Sequence, residues 1–307
     1  MSVGANIALL STVVALAVVF LIITAVTVYK RGEIQPLKIR SSKLLLVSVL
    51  ANLSIVLMIY VIQMAQELCI NTTDNFDTIK DHCKFYSLEL VGLLFGMLII
   101  STAEPLAFVS QVLRAIRLRR IIDAQQSYFN EQTRPTELIA RFQEKNLMKI
   151  QAVVVGIATI AYIVAAIVLY FANQLYMLPS YDSSSYSFYS TSVDAATIEH
   201  NFSVGAQIGL AYFCFALLIE VVVFLWTFRQ IKEVKEFNFT PEMVYLCTVW
   251  VVSTNVYLFL VIQGSYSSWF SITQCQRLIT YGLIVRSFLT CYVTCWPSIK
   301  QSYQEGA

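Results

Sequence analysis

Five polar side chains lie within otherwise apolar stretches of the chain and are its first candidates for chemistry. They are three carboxylates, one amide and one guanidinium: Glu89, Glu104, Glu220, Asn255 and Arg286. Polar groups in long apolar helices cost free energy, and they commonly mark ligand sites, ion paths or conformational switches. The sequence shows no catalytic motif of known enzyme families around these residues.

Arg286 has the clearest requirement of the five, because an unpaired guanidinium is hard to retain in the middle of an apolar helix. It needs a carboxylate, and Glu104 and Glu220 are the two candidates at comparable depth. Such a pair either fixes helix packing or acts as a ligand-coupled switch, and the sequence leaves both open. Asn255 can hydrogen-bond to a neighbouring helix. Glu89 is predicted near the outer end of its helix. There it either lines the entrance to a ligand site or is a solvated residue at the rim of the bundle.

A second candidate site is a basic cluster that follows the third apolar stretch. Arg114, Arg117, Arg119 and Arg120 lie within seven residues. Four guanidinium groups this close are expected in water or among lipid phosphates, so they indicate the cytoplasmic end of a helix. These arginines either set the orientation of the helix and interact with anionic lipid headgroups, or they form a docking surface for a cytoplasmic partner. The two interpretations are compatible.

Composition places these residues in an integral membrane protein. The chain has 307 residues, of which 57% are hydrophobic and 13% charged, and that charged fraction is about half of the value for a soluble domain. Apolar runs of about 18 residues or more predict membrane-spanning helices, whose backbone groups are satisfied within the segment. We predict an all-α bundle of seven transmembrane helices, at about 7–29, 44–66, 86–112, 150–171, 204–227, 243–263 and 278–297.

The distribution of basic residues predicts the orientation of this bundle. Seventeen of the 21 Lys and Arg residues fall in the segments after the first, third, fifth and seventh spans, and three fall on the other side. Because cytoplasmic loops carry the excess of Lys and Arg, the N-terminus is predicted outside and the C-terminus inside. Residues 298–307 would be a short cytoplasmic tail. The predicted location is the plasma membrane, as a single multi-pass domain.

The predicted outer loops carry signs of an oxidising compartment. Cys69 and Cys83 flank an Asn-X-Thr sequon at Asn71, which suggests a local disulfide. Cys275 is the competing partner, and spacing does not decide the connectivity. Asn201 is a second glycosylation candidate, closer to the predicted membrane.

Two further loop segments have recognisable character. Residues 173–201 are rich in Ser and Tyr and contain no Lys or Arg, which predicts a flexible lid, with mucin-like glycosylation as the weaker alternative. Residues 136–150 follow Pro135 and mix apolar with charged side chains, which predicts a short helix lying on the inner leaflet or under the bundle.

Several chemistries are disfavoured by missing motifs. The sequence has no GxSxG, Walker, HExxH or CxxC motif and only two histidines, so we expect no enzyme, metal site or cofactor. We also expect no nucleic-acid partner. The seventh predicted span contains no lysine that could form a retinal Schiff base.

Four short motifs give the chain a family resemblance. They are PLKIRSSKLLL before the second span, LRAIRLRRI after the third, EFNFTPEM before the sixth and CWPS at the end of the seventh. Together with seven helices, they resemble G-protein-coupled receptors. The nearest resemblance is to the seven-helix module that precedes a regulator-of-G-protein-signalling domain in plant and protist proteins. The resemblance implies that Arg114–Arg120 face a Gα subunit.

The sequence departs from that family in two respects. Only ten residues follow Pro297, so GTPase-accelerating activity is not expected of this chain. The Asp/Glu-Arg-Tyr and Asn-Pro-x-x-Tyr motifs of rhodopsin-like receptors are also missing. We therefore expect a receptor-like protein that senses an extracellular ligand and signals to a heterotrimeric G protein. The alternatives are a small-solute or ion transporter that uses the same buried charges, and a non-signalling scaffold.

Overall fold

The fold is known from a computed structural model. It describes residues 3–32, 41–71, 102–121, 143–171, 179–182, 185–188 and 272–305, together with helical residues at 222, 242, 244–246, 248–253, 255–256 and 259. The elements in these residues are α1 (Val3–Arg31), α2 (Ser42–Asn71), α3 (residues 102–121), α4 (Glu144–Phe171), β1 (Pro179–Asp182), β2 (Ser185–Phe188), α5 (Val244–Ser253) and α6 (Ile272–Glu305).

Within the described residues, three helices are long and apolar enough to cross a membrane: Gly4–Arg31, Ser42–Val61 and Arg277–Lys300. They belong to α1, α2 and α6 and correspond to the predicted first, second and seventh spans. A shorter apolar helix, Val244–Ser253, lies within the predicted sixth span. The chain therefore has the character of a helical membrane protein.

The main core lies where α1, α2 and α6 pack against one another. The α1 side of this core is a stripe of residues three or four positions apart, which places them on one helix face. Its members are Leu10, Val14, Ala17, Leu21, Ala25 and Val28. The remaining surface of α1 is equally apolar but exposed, as at Leu16 and Ile23. A helix that is apolar on both faces is expected to meet lipid on the exposed one.

α3 packs closely on α2 through small side chains. Ala103 and Ala107 contact a cluster that includes Ile55 and Ile59, and Leu283 of α6 packs against the same cluster. Alanine at two positions one turn apart allows helix backbones to approach, which is a common basis of helix association in membranes. α3 therefore lies beside both α2 and α6.

Several helix termini meet at one end of the bundle. The backbone N–H of Lys43, at the start of α2, donates to Glu144 Oε1 at the start of α4, at 2.9 Å. Ser41 precedes α2 with a φ of 62° and also accepts from Arg117 near the end of α3. The guanidinium of Arg31, at the end of α1, lies 3.5 Å from the ring centroid of Tyr303 near the end of α6.

Gly32 is required where α1 turns towards α2. A Cβ atom at this position would lie 2.9 Å from both the Ser42 hydroxyl and the Val28 carbonyl oxygen. Side chains essentially never approach so closely, so this crossing depends on the missing side chain.

The structure differs in detail from three local predictions, of which the separate surface helix is wrong. The seventh helix does not end at Pro297 but continues through it to Glu305, even though proline cannot donate the usual backbone hydrogen bond. Residues 144–150 are not part of a separate surface helix but form the first two turns of α4. The segment expected to be a flexible lid contains an antiparallel hairpin, in which Pro179 pairs with Phe188 and Asp182 with Ser185.

Candidate functional site

The first part of the candidate site is an ion pair between α3 and α6. The Arg286 guanidinium contacts Glu104 Oε1, and the two side chains are 10% and 22% exposed. Glu104 is thus the carboxylate that meets Arg286 among the described residues, whereas Glu220 lies outside them. The pair gives the buried guanidinium the counter-charge that its position requires.

An aromatic pair adds α5 to this contact. The guanidinium carbon of Arg286 lies 4.8 Å from the centroid of the Trp250 ring, within the usual range of a cation–π interaction. Trp250 is 2% exposed, and its ring centroid lies 5.6 Å from that of Phe108 on α3. One charge of α6 therefore contacts both α3 and α5.

The second part is a buried ion pair nearer the other end of α3. Arg114 Nη2 lies 3.0 Å from Glu242 Oε1, and the side chains are 2% and 3% exposed. Glu242 lies two residues before α5. The sequence-based expectation that Arg114 sits in water or among lipid phosphates is therefore wrong, because a carboxylate distant in sequence neutralises it within the protein.

Gln111 connects this ion pair to α2. Its side-chain oxygen accepts from Arg114 Nη1, and its Nε2 donates to Ser48 Oγ at 2.8 Å. All four side chains are buried. Since buried polar groups need partners, this network holds α2, α3 and the start of α5 in a defined arrangement.

The other three arginines of the basic cluster are more accessible. Arg117 donates to Ser41 Oγ and is half-buried, and burial lowers its pKa while the nearby Glu144 carboxylate acts to raise it. Arg119 is partly exposed and Arg120 is exposed. The accessible surface of the basic cluster is thus formed by Arg117, Arg119 and Arg120, and Arg114 does not contribute to it.

Asn255 does not make the expected contact with a neighbouring helix in this structure. It is exposed, and its Nδ2 donates to the Val251 carbonyl oxygen at 2.8 Å, within the same helical segment. A polar side chain can satisfy itself in this way on its own helix. Asn255 therefore lies apart from the contacts of Glu104 and Arg114.

The remaining predicted site residues have no described side chain, although the backbones of Cys69 and Asn71 belong to α2 and that of Cys275 to α6. Glu89, Cys83 and Asn201 lie outside the described residues, and the side chains of Cys69, Asn71 and Cys275 are likewise not among those described. Among the cysteines whose side chains are described, Cys291 and Cys295 are buried and are not joined in a disulfide. The described residues contain no group of three His, Cys, Asp or Glu side chains suited to a metal ion.

Sequence reasoning missed Glu242, Gln111 and Trp250. Gln111 precedes Arg114 by three positions, a spacing that allows contact on one helix face and was a usable signal. Glu242 belongs to a segment predicted to be solvated, and Trp250 was counted only as an apolar residue of a span. Nothing in their local sequence indicates a partner on another helix.

Comparison with known proteins adds no identification to this geometry. No protein-family model matches the chain, and no curated protein matches it significantly. Function must therefore be inferred from the two ion pairs and the distribution of charge.

Proposed function

We propose that the chain is a seven-helix receptor of the plasma membrane that senses an extracellular ligand and signals to a cytoplasmic heterotrimeric G protein. The proposed N-terminus is outside and the C-terminus inside. Support for the orientation comes from the bundle end at which the termini of α1, α2, α3, α4 and α6 meet. Its accessible cations are Lys30, Arg31, Lys43, Arg117, Arg119, Arg120, Lys145, Lys149 and Lys300.

One observation carries the signalling proposal: α3 bears both ion pairs. Glu104 and Arg114 are ten residues apart, which corresponds to about 15 Å along a helix. The Glu104–Arg286 pair involves α5 through Trp250 and α6 through Arg286. The Arg114–Glu242 pair involves the start of α5 through Glu242. A displacement of α3 relative to α5 and α6 would therefore alter both contacts together.

In the proposed mechanism, a ligand in the outer half of the bundle binds better to a state with a rearranged Glu104–Arg286 contact. A ligand can shift the equilibrium only by its difference in affinity for the two states. The same movement of α3 separates Arg114 from Glu242 and opens the inner end between α3 and α5. Arg119 and Arg120 follow Arg114 at the inner end of α3, and in this proposal they contact the acidic surface of a partner.

The test is recruitment of Gα subunits in cells at matched surface expression. Arg119→Gln with Arg120→Gln removes accessible charge without breaking the buried pair, and Lys30→Gln with Lys300→Gln is a matched control at the same bundle end. We expect the first double variant to lose recruitment and the control to retain it. Absence of recruitment by the unmodified protein across a panel of Gα subunits would refute G-protein coupling.

A transporter is the second candidate, and one observation favours it. The hydroxyl groups of Ser287, Thr290 and Ser298 on α6 are buried without a hydrogen-bond partner in the described part of the chain. Orphaned hydroxyls can attract water or a small polar solute. Against a continuous path, the apolar cluster of Ile55, Ile59 and neighbouring residues packs against the same helix.

The receptor and the transporter predict different effects of Glu104→Gln on solute or ion flux. If the ion pair lines a path, this variant changes solute or ion flux in reconstituted vesicles, and the unmodified protein supports flux that empty vesicles lack. A receptor without transport activity gives no flux in either form.

A further inference from the structure

Three exposed lysines cluster where α2 and α4 begin. Lys43, Lys145 and Lys149 are all exposed. The backbone N–H of Lys43 donates to Glu144 Oε1 at 2.9 Å, so the start of α2, which carries Lys43, lies beside the start of α4, which carries Lys145. Lys145 and Lys149 are four residues apart on α4 and therefore share one helix face. We call these three residues the lysine cluster.

In the part of the chain that the structure describes, the acidic side chain beside the lysine cluster is already engaged. Glu144 accepts the hydrogen bond from the start of α2, and it also acts on the Arg117 guanidinium nearby. Among the described residues, this one carboxylate is set against three exposed lysines and Arg117, which leaves a net positive charge at these helix starts. The lysine cluster can therefore accept a ligand with several negative charges.

Apolar surface begins directly beside the lysine cluster and continues along α4. Ile150, Val153, Val154 and Ile157 follow Lys149 and are 46%, 62%, 42% and 63% exposed. A helix surface with this many exposed branched side chains is suited to lipid tails. The lysines lie at the edge of that surface, which is the depth of lipid headgroups rather than of bulk water.

We propose that the lysine cluster binds the headgroup of a phosphoinositide, an anionic membrane lipid whose inositol ring carries additional phosphate groups. Three ammonium groups between two helix starts suit several phosphates, whereas phosphatidylserine carries one net negative charge. The acyl chains would lie along the exposed apolar face of α4. This site depends on the position of the lysines next to lipid and not on G-protein coupling.

The experiment measures lipid binding to the full chain in nanodiscs, where both bundle ends are accessible. A fluorescent phosphatidylinositol bisphosphate is titrated into a phosphatidylcholine background, and phosphatidylserine is titrated in parallel. The variant Lys145→Gln/Lys149→Gln tests the site, and Lys30→Gln/Lys300→Gln removes two exposed lysines elsewhere at the same end. The melting temperatures of all forms verify that these surface changes leave the fold intact.

We expect phosphoinositide affinity to fall on the order of tenfold to thirtyfold in the site variant and by less than about twofold in the control, as for a neutral surface change. Equal losses in both variants would overturn the site in favour of a diffuse positive field. Equal affinity for phosphatidylserine would overturn the headgroup assignment. Equal binding of soluble inositol phosphate, without acyl chains, would overturn the membrane-lipid source.

Discussion

Arg114 and Glu242 form an ion pair at 3.0 Å in which neither side chain is more than 3% exposed. The two residues belong to parts of the chain 128 positions apart. Removing one partner from a buried pair leaves an uncompensated charge, which costs more than removing both.

The first prediction concerns this pair. Glu242→Gln or Arg114→Gln should lower the free energy of unfolding by about 3–5 kcal/mol, because one buried charge loses its partner. The double variant Arg114→Gln/Glu242→Gln should lose less than the sum of the two single variants. Thermal unfolding in nanodiscs measures all three, and strict additivity would show that the two side chains do not interact.

The second prediction concerns Glu104 and Arg286. Glu104→Gln should destabilise the protein by about 1–3 kcal/mol, less than the inner pair because these side chains are more exposed. The exchange Glu104→Arg/Arg286→Glu should recover part of the loss if the contact is mainly ionic. A melting temperature of the exchanged form below those of the single variants Glu104→Arg and Arg286→Glu would contradict that interpretation.

The third prediction concerns Trp250. Trp250→Ala should cost about 3–5 kcal/mol because a large buried ring is lost together with its contact to Arg286. Trp250→Phe keeps an aromatic face and should cost less. If the guanidinium contact matters, the difference between these two variants should shrink in an Arg286→Gln background, and an unchanged difference would assign the effect to packing alone.

The fourth prediction concerns Gly32. Gly32→Ala should destabilise the α1–α2 junction by about 1–3 kcal/mol, because the added Cβ meets Ser42 and the Val28 carbonyl oxygen and overpacking has a cost of this size. Gly156→Ala is the matched control, since no atom lies within 4 Å of its added Cβ. In the control, the better helix propensity of alanine should stabilise by up to about 1 kcal/mol.

The ion pair of Arg286 was accessible to sequence reasoning because a guanidinium within an apolar helix needs a counter-charge. Only two carboxylates had suitable depth, so Glu104 was one of two choices. The helical character of the apolar stretches was predictable for the same kind of reason, since their length and composition leave few alternatives. The described helices support this general class, and the count of seven spans stays a prediction.

The burial of Arg114 was not accessible in this way. Its partner lies far away in sequence and in a segment with the composition of a solvated loop, so no local pattern joins them. The continuation of α6 past Pro297 is a second example. Proline disfavours a helix interior locally, yet Ile299 of the same helix packs in the core with α1 and α2, and tertiary packing outweighs the local preference.

The core that joins α1 and α2 to α6 has a consequence for biosynthesis. A ribosome makes the first two helices early and the last one at the end, so the apolar surface between α1 and α2 stays incomplete until residues 272–305 emerge. Quality control in the cell would recognise chains that stop before that point by this unfinished surface. Nonsense mutations upstream of Ile272 should therefore give short-lived protein rather than a partly active one.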